Sequence, residues 1–190
     1  MIKIAVLGDM HIPNRANKIP DKLIAAIENF HPDMIICTGD FVERKVLDLL
    51  MEIAPVKYVV GNMDYIDGPH KLKLKIGEFT IGVIHGHGIY PRGDPEQLYE
   101  IAREMNVKVL ISGHTHASFV KLHKGILLLN PGSATGAWGG GGGSLKPSMI
   151  CMTIEGTRMH IKVVEIEYGE LTETPFRVDK INSELKIIQG

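Results

Sequence analysis

This chain of 190 residues has few cysteines, almost no excess of positive or negative charge, and no long apolar segment. Its two cysteines, Cys37 and Cys151, are too few for a disulfide framework, and both lie in apolar runs, which indicates buried and unreactive thiols. Basic and acidic side chains nearly cancel, at 21 against 22, so the basic excess of an electrostatic nucleic-acid binder is missing. We therefore expect nucleic acid, if anything, as a substrate and not as a partner.

The sequence also lacks a stretch typical of a membrane helix. The longest uncharged run, Gly125 to Leu145, contains Asn130, Pro131 and many glycines, and this composition does not form a membrane-spanning helix. The first residues turn acidic at Asp9 and show no signal-peptide cleavage region. We expect a cytoplasmic protein without membrane insertion, and the length predicts a single domain over residues 1–190.

The first half of the chain alternates short apolar runs with amphipathic segments. The apolar runs at 2–7, 34–38 and 56–60 predict buried strands, and the segments at 20–32 and 46–55 have apolar residues at helical spacing. Strands separated by helices are typical of parallel pairing. This half therefore predicts an α/β arrangement.

The second half contains more strands and fewer helices. Residues 72–84 predict a hairpin, 95–105 a helix and 107–112 another strand, and the chain continues mostly as strands to Tyr168. Beyond Leu171 we expect a tail or an edge strand with no catalytic role. The five consecutive glycines at 139–143 predict a loop that either gates a substrate or is a tolerated surface insertion.

Polar side chains of metal-ligand type follow five of the predicted strands at their carboxyl ends. In chain order these are Asp9 and His11, Asp40, Asn62 and Asp64, His85 and His87, and His114 and His116. Ligands bind outside the carboxyl ends of strands in open α/β sheets, so we expect these side chains to meet along one edge. A spacing of two residues points both members of a pair the same way on an extended segment. Glycines before four of these positions are expected to let the backbone turn sharply toward the site.

The chemistry of this set is imidazole with carboxylate, and it contains no thiolate. That excludes a structural thiolate zinc site and suits Mn, Fe, Ni or Zn. The candidate ligands outnumber the four that one tetrahedral ion needs, so a two-metal centre that shares one bridging carboxylate accounts for the set. Two adjacent ions would activate water and hold a phosphoryl group for in-line attack.

The motifs that carry these residues resemble those of the calcineurin-like metallophosphoesterases. They are GDMH, GD, GNMD, HGH and GHTH, which begin at Gly8, Gly39, Gly61, His85 and Gly113. The segment NPGS at 130–133 extends the resemblance to the small phosphodiesterase branch, and longer stretches resemble the retromer small-subunit proteins of vacuolar sorting. The resemblance implies a β-sandwich of two mixed sheets flanked by helices in four layers, α/β/β/α, with metals at the strand ends.

Carried over motif by motif, the resemblance implies two divalent ions. The first would be held by Asp9, His11, Asp40 and His116, and the second by Asp40, Asn62, His85 and His114, with Asp40 as the bridge. Manganese is our first expectation, and Ni, Zn, Fe and Mg are the alternatives. The implied reaction is hydrolysis of a small phosphodiester by a metal-bound hydroxide.

Three positions around this ligand set leave alternatives open. His87, which we assign with Asp40 and Asn62 to the catalytic residues, either contacts the substrate or separates other groups. Asp64 is expected to orient a ligand, with direct binding to the metal as the alternative. Met63 stands where the superfamily motif carries a histidine that is thought to act on the leaving group, so we expect a modest enzyme.

A second functional class fits the same motifs. The resemblance to the retromer small subunit extends beyond the metal motifs, so the chain is alternatively a protein-interaction scaffold with a structural or vestigial metal site. A homo-oligomer or a protein partner is then expected.

Overall fold

The computed structural model describes residues 1–188, which form three helices and twelve strands. The helices are α1 (Asp21–Phe30), α2 (Arg44–Met51) and α3 (Pro95–Glu104). The strands are β1 (Ile2–Leu7), β2 (Met34–Cys37), β3 (Val56–Tyr58), β4 (Lys71–Ile76), β5 (Phe79–Ile84), β6 (Val109–Ile111), β7 (Ser118–His123), β8 (Ile126–Pro131), β9 (Ser148–Glu155), β10 (Arg158–Glu167), β11 (Glu170–Ile181) and β12 (Glu184–Ile188). No helix within these residues is both long and apolar enough to cross a membrane.

The strands form two mixed sheets. One has the order β12-β11-β10-β9-β1-β2-β3 and the other the order β4-β5-β6-β8-β7. The predicted parallel pairing is confirmed for β1, β2 and β3, and the predicted hairpin is confirmed as β4 and β5. In the second sheet, β6 pairs in parallel with both β5 and β8.

The helices cover the outer faces of the two sheets, as the four-layer arrangement requires. Side chains of β1 alternate between two cores: Ile4 and Val6 pack between the sheets, and Ala5 and Leu7 pack under α1 and α2. Because both faces of the strand are buried from Ile4 to Leu7, its sequence there is a continuous apolar run without alternation. Helix α3 packs on the other sheet through Leu98 and Ala102. The predicted α/β/β/α fold is confirmed.

Both cysteines are free and buried in this core. Burial raises the pKa of the Cys37 thiol and of the Cys151 thiol to about 12. The thiols therefore stay protonated at neutral pH, which agrees with the prediction that they are unreactive.

For the C-terminal segment, the structure shows strands and not a tail, and β12 is the edge strand of its sheet. Strand β11 pairs antiparallel with β10 over its length, and β12 covers β11 only from Arg177 to Ile181. The part of β11 that includes Pro175 is therefore a sheet edge, where a residue without an N–H costs no ladder hydrogen bond. Its first six residues are exposed, so the sequence shows no apolar alternation there.

Candidate metal centre

Six of the predicted ligand side chains meet at the ends of strands β1, β2, β5 and β6. They form two groups, each with ligand atoms within 4.8 Å of one another: Asp9, His11 and His116 in the first group, and Asp40, His85 and His114 in the second. The two groups come from loops that are far apart in sequence and follow strands of both sheets. The predicted convergence of these side chains at one edge is what the structure shows.

Asp40 links the two groups. Its Oδ2 atom lies 3.5 Å from Nε2 of His11 in the first group and 3.3 Å from Nε2 of His85 in the second. Its other oxygen, Oδ1, accepts a hydrogen bond from the N–H of Met63 at 2.9 Å. Asp40 thus faces imidazoles of both groups, at shorter distances than Asp9, whose Oδ1 lies 3.6 Å from His116 Nε2 and 4.0 Å from His85 Nδ1.

The residues of the centre fit divalent metal ions, as the buried polar atoms show. Asp9 Oδ1, His11 Nδ1 and His85 Nε2 are buried and have no hydrogen-bond partner within residues 1–188. The Nε2 atoms of His11 and His116 face each other at 3.1 Å. Two neutral imidazoles in this geometry can share only one hydrogen between these nitrogens. Two nitrogens that share one ion at ~2.1 Å stand roughly 3–3.4 Å apart at ordinary angles. A shared cation would satisfy atoms that are otherwise costly to bury.

The backbone at the ligands adopts an unusual conformation. Asp9, His11, Asp40, His114 and His116 all have a positive φ, between 50° and 67°. Non-glycine residues rarely occupy this left-handed region, and its strain is characteristic of functional sites. The sequence did not predict this left-handed conformation at the ligands. We expected the preceding glycines to make the turns.

The glycines before the ligands serve close packing instead. A Cβ atom on Gly8 would lie 1.8 Å from Thr38 Oγ1, and one on Gly61 would lie 2.1 Å from Asp40 Oδ1. Gly113 has a similar conflict with Thr38, at 2.6 Å. Only Gly39, with a φ of 97°, uses the conformational freedom that we predicted for all four.

Hydrogen bonds from the ligands to backbone carbonyls set the direction of the imidazoles. His85 Nδ1 lies 2.8 Å from the carbonyl oxygen of Thr38, and His116 Nδ1 lies 2.6 Å from that of Ala137. A carbonyl only accepts, so Nδ1 carries the proton in both rings and the Nε2 lone pair faces the centre. This is the arrangement of histidines that bind metals through Nε2.

Further polar contacts hold the loops of the first group. Asp9 Oδ2 accepts the backbone N–H of His114 at 2.8 Å, and the Ser133 hydroxyl donates to the carbonyl oxygen of Asp9 at 2.6 Å. Asn130 Nδ2 donates to the Gly113 carbonyl at 3.0 Å. The NPGS segment therefore supports the loops that carry Asp9 and His114.

Asp64 has the orienting position that the sequence predicted. Its two carboxylate oxygens accept three backbone N–H groups, from Asp40 at 2.8 Å, Val42 at 2.7 Å and Gly61 at 2.7 Å. These bonds fasten the loop after β3 to the loop that carries Asp40. Asp64 thus acts on the centre through Asp40.

Electrostatics keep most of the imidazoles neutral and available. Burial lowers the pKa of His11 and of His114 to about 4 and also lowers the pKa of His116. Burial alone would raise the pKa of Asp40, but His85 and the Met63 N–H outweigh it and lower that pKa to about 2. At neutral pH these groups are therefore in the protonation state that binds a cation.

Of the other predicted site residues, His87 belongs to neither group, and Asn62 is an amide, a side-chain type that these carboxylate–imidazole groups do not include. Asn62 is exposed in the loop after β3, next to Met63. His87 is also exposed, and its ring centroid is 5.4 Å from that of His85 and 6.2 Å from that of His70. The metal-ligand role of Asn62 and the catalytic role of His87 stay predictions.

The glycine segment contributes to the centre in a way that the sequence did not reveal. Three consecutive carbonyl oxygens accept side-chain hydrogen bonds: Ala137 from His116, Trp138 from Arg15 at 2.8 Å, and Gly139 from Arg92 at 2.5 Å. Gly139 lies against the His116 ring, and Gly143 lies against the Cβ and carbonyl oxygen of His116, whereas Gly141 and Gly142 have open space around them. This segment, residues 137–143, is therefore neither a detached insertion nor remote from the ligands.

Replacing Gly139 with alanine is expected to weaken metal binding about 10–100-fold, the usual cost of disturbing a ligand's support. The new Cβ would lie 2.8 Å from Cγ and Cδ2 of His116, so the ring has to move. Gly141→Ala is the matched control, because nothing lies within 4 Å of its Cβ. Calorimetric titration with Mn²⁺ measures both, and equal affinities in the two variants would contradict the packing argument.

Comparison with known proteins identifies related sequences. Residues 2–157 match the model of the calcineurin-like phosphoesterase superfamily domain. A protein of Methanocaldococcus jannaschii described as a probable metallophosphoesterase is 46% identical over 132 residues, which is 70% of this chain and 68% of the relative. Another protein of that description, from Methanothermobacter thermautotrophicus, is 37% identical over 164 residues, or 85% of this chain and 91% of the relative.

Solved structures of vacuolar protein sorting 29 (Vps29) share the fold. The protein from Cryptosporidium parvum superimposes with a TM-score of 0.90 at 28% identity, over 94% of this chain and 98% of its own. Wild-type Vps29 from Entamoeba histolytica, solved in complex with Zn²⁺, has a TM-score of 0.83 at 33% identity, over 94% and 99%. Vps29 from Chaetomium thermophilum, solved with a cyclic peptide, has a TM-score of 0.77 at 26% identity, over 98% and 95%.

Proposed function

The chain belongs to the calcineurin-like phosphoesterase superfamily, and on that premise we propose that it is a phosphodiesterase that hydrolyses small phosphodiesters with two divalent ions. The observation that carries the proposal is the pair of adjacent ligand groups that both face Asp40. A single structural ion has no need of six ligand side chains in two groups. The preference for diesters rests on the resemblance of the NPGS segment and its flanking motifs to the phosphodiesterase branch.

The ligand assignment follows the two groups. Asp9, His11 and His116 would hold one ion, and His85 and His114 the other, with Asp40 shared and Asn62 added from the exposed loop. When bound, the ions supply an activated water and positive charge for the phosphoryl oxygens. We propose Mn²⁺ as the working ion because an imidazole–carboxylate set without thiolate suits it, with Ni, Zn, Fe and Mg as the alternatives to be tested.

The chain's own residues do the positioning. The carbonyl oxygens of Thr38 and Ala137 fix the His85 and His116 rings, and Asp64 fixes the Asp40 loop. His87 is the exposed imidazole beside the centre, so it is the candidate to exchange a proton with the leaving group. Met63, at the position of the missing motif histidine, has a thioether that transfers no proton.

Metal-stripped protein tests the proposal directly. Mn²⁺, Ni²⁺, Zn²⁺, Fe²⁺ or Mg²⁺ is added back singly, and the release of nitrophenolate from bis(p-nitrophenyl) phosphate is compared with that from p-nitrophenyl phosphate. We expect hydrolysis that depends on added metal and is faster for the diester. Absence of turnover with every ion, despite metal binding, would contradict the enzymatic proposal.

Metal affinity is expected to rise with pH. Burial raises the pKa of Asp9 to about 7. Burial alone would lower the pKa of His85, but the Asp40 and Asp9 carboxylates outweigh burial and raise that pKa to about 8. Both groups hold protons at pH 6 that metal binding must displace, so the Kd for Mn²⁺ should be at least ~10-fold larger at pH 6 than at pH 8. Calorimetry in two buffers of different ionisation enthalpy counts the released protons. An unchanged affinity would show that neither group loses a proton on binding.

A second proposal is a protein-interaction scaffold of the retromer-subunit type. It is favoured by one observation, that a Vps29 of this fold has been solved with a cyclic peptide. On this proposal a partner, or a second copy of the chain, binds equally well with and without a chelator. Size-exclusion chromatography with light scattering, with and without EDTA, tests this proposal on the purified chain and on its complexes. A chain that is always a free monomer would argue against the scaffold.

A further inference from the structure

A groove of about 660 Å³ opens beside the metal centre and takes no part in holding the metal. Thr115, which lies between His114 and His116 in the chain, forms part of its lining together with Phe119. The loop that contains Tyr90 and Arg92 also lines the groove, as does the glycine segment at 140–142. Its volume falls in the range of small-molecule sites, ~300–1,000 Å³.

The groove is suited to an anion. Arg92 is the only charged side chain among the lining residues, and no carboxylate lines it. Within residues 1–188, no carboxylate lies within ion-pair distance of Arg92, whose one hydrogen bond goes to the carbonyl oxygen of Gly139. A guanidinium has five N–H donors, so most of them are available to the oxygens of a phosphoryl group.

The groove is also suited to a flat aromatic ring. Tyr90 has a side chain that is 88% exposed, yet its backbone is held by Gln97, whose Nε2 donates to the Tyr90 carbonyl oxygen at 2.6 Å. The same loop is closed by Asp94, which accepts the backbone N–H of Gln97 at 2.9 Å and caps α3. An exposed aromatic ring on an ordered loop loses little freedom when a ligand stacks on it. Trp138, 65% exposed, precedes the glycine segment that lines the groove.

We infer that this groove binds a nucleoside arm of the phosphodiester, with the base stacked on Tyr90 and the phosphoryl oxygens near Arg92. The inference rests on the proposed phosphodiesterase function and adds the substrate class to it. An alkyl or sugar arm has no flat π-face to stack on an aromatic ring, whereas every nucleobase has one. The guanidinium of Arg92 and the ring of Tyr90 line the same groove, so it offers one group for a phosphate and one for a base.

Two substrates with one leaving group test the inference. They are the p-nitrophenyl ester of thymidine 5′-monophosphate and methyl p-nitrophenyl phosphate, assayed with the Mn²⁺-loaded protein. We expect kcat/KM to be on the order of tenfold higher for the thymidine ester, the fold-change of one base–aromatic stack. Tyr90→Ala should bring the ratio close to one, and Tyr90→Phe should retain it.

Tyr168→Ala is the matched control, because Tyr168 is fully exposed at the turn after β10 and does not line the groove. It should leave the ratio unchanged. Equal kcat/KM for the two esters in the unmodified protein, or a ratio that Tyr90→Ala does not lower, would overturn the inference.

Binding without turnover separates this inference from the proposed function. Trp138 is the only tryptophan, so its fluorescence in the metal-free protein reports a ligand that enters the groove. Thymidine 5′-monophosphate should quench it, with a Kd raised about tenfold by Tyr90→Ala and unaffected by Tyr168→Ala. An oligothymidylate as competitor distinguishes a free nucleotide from the end of a nucleic acid. Quenching without hydrolysis of either ester would uphold the groove and reject the phosphodiesterase, whereas hydrolysis without quenching would reject the groove.

Discussion

Asp40→Asn is expected to lower both the affinity for divalent metal and the rate of diester hydrolysis by more than ~100-fold. Loss of an outer partner of a metal ligand already costs ~10–100-fold, and Asp40 faces members of both ligand groups. The substitution removes one negative charge from a buried centre but keeps the shape of the side chain. The remaining amide oxygen still accepts the Met63 N–H, so the loop is expected to keep its conformation.

The control for this variant is Asp48→Asn. Asp48 is an exposed carboxylate on α2 that pairs with Arg44 one turn away, and its loss should change the free energy of unfolding by less than ~0.5 kcal/mol. Calorimetric metal titration, hydrolysis of bis(p-nitrophenyl) phosphate and thermal unfolding are measured for both variants. Metal-dependent hydrolysis at the unmodified rate in Asp40→Asn would rule out Asp40 as the shared ligand.

The fold was largely predictable because its central strands are buried on both faces. Ile4 to Leu7 of β1 and all of β2 are apolar, and Pro20 and Pro95 mark where α1 and α3 begin. The C-terminal hairpin was not predictable in the same way. Strand β11 is exposed over its first half and paired along one side there, so its sequence shows neither a buried run nor alternation.

The convergence of the ligand side chains could be predicted from the order of the strands. The backbone conformation and the contacts that support these side chains could not. Positions such as Asp9 and His116 could be predicted because the carboxyl ends of neighbouring strands meet. The left-handed backbone at those residues depends on contacts between distant loops, such as Ser133 to Asp9, and no local pattern encodes it. The contact of Gly139 with His116 is likewise long-range, so the sequence of the glycine run predicted only a loop.

Met63→His is expected to raise kcat for diesters with poor leaving groups by about 100-fold, the lower bound that general-acid catalysis usually supplies. The superfamily motif carries histidine at this position, and here the thioether offers no proton. The backbone N–H of residue 63 donates to Asp40 Oδ1, so an imidazole on this residue starts next to the shared carboxylate. Met63 is half-buried, so a side chain at this position contacts both protein and solvent.

The leaving group makes this prediction specific. Nitrophenolate departs without a proton, so bis(p-nitrophenyl) phosphate should gain little from the new imidazole, whereas phenyl and alkyl diesters should gain most. Met63→Leu is the control, since it changes the shape of the side chain without adding a proton donor. A kcat series over aryl diesters of rising phenol pKa should become flatter in Met63→His only. If both variants keep the slope of the unmodified protein, the slow step does not involve protonation of the leaving group, and Met63 is not what limits the enzyme.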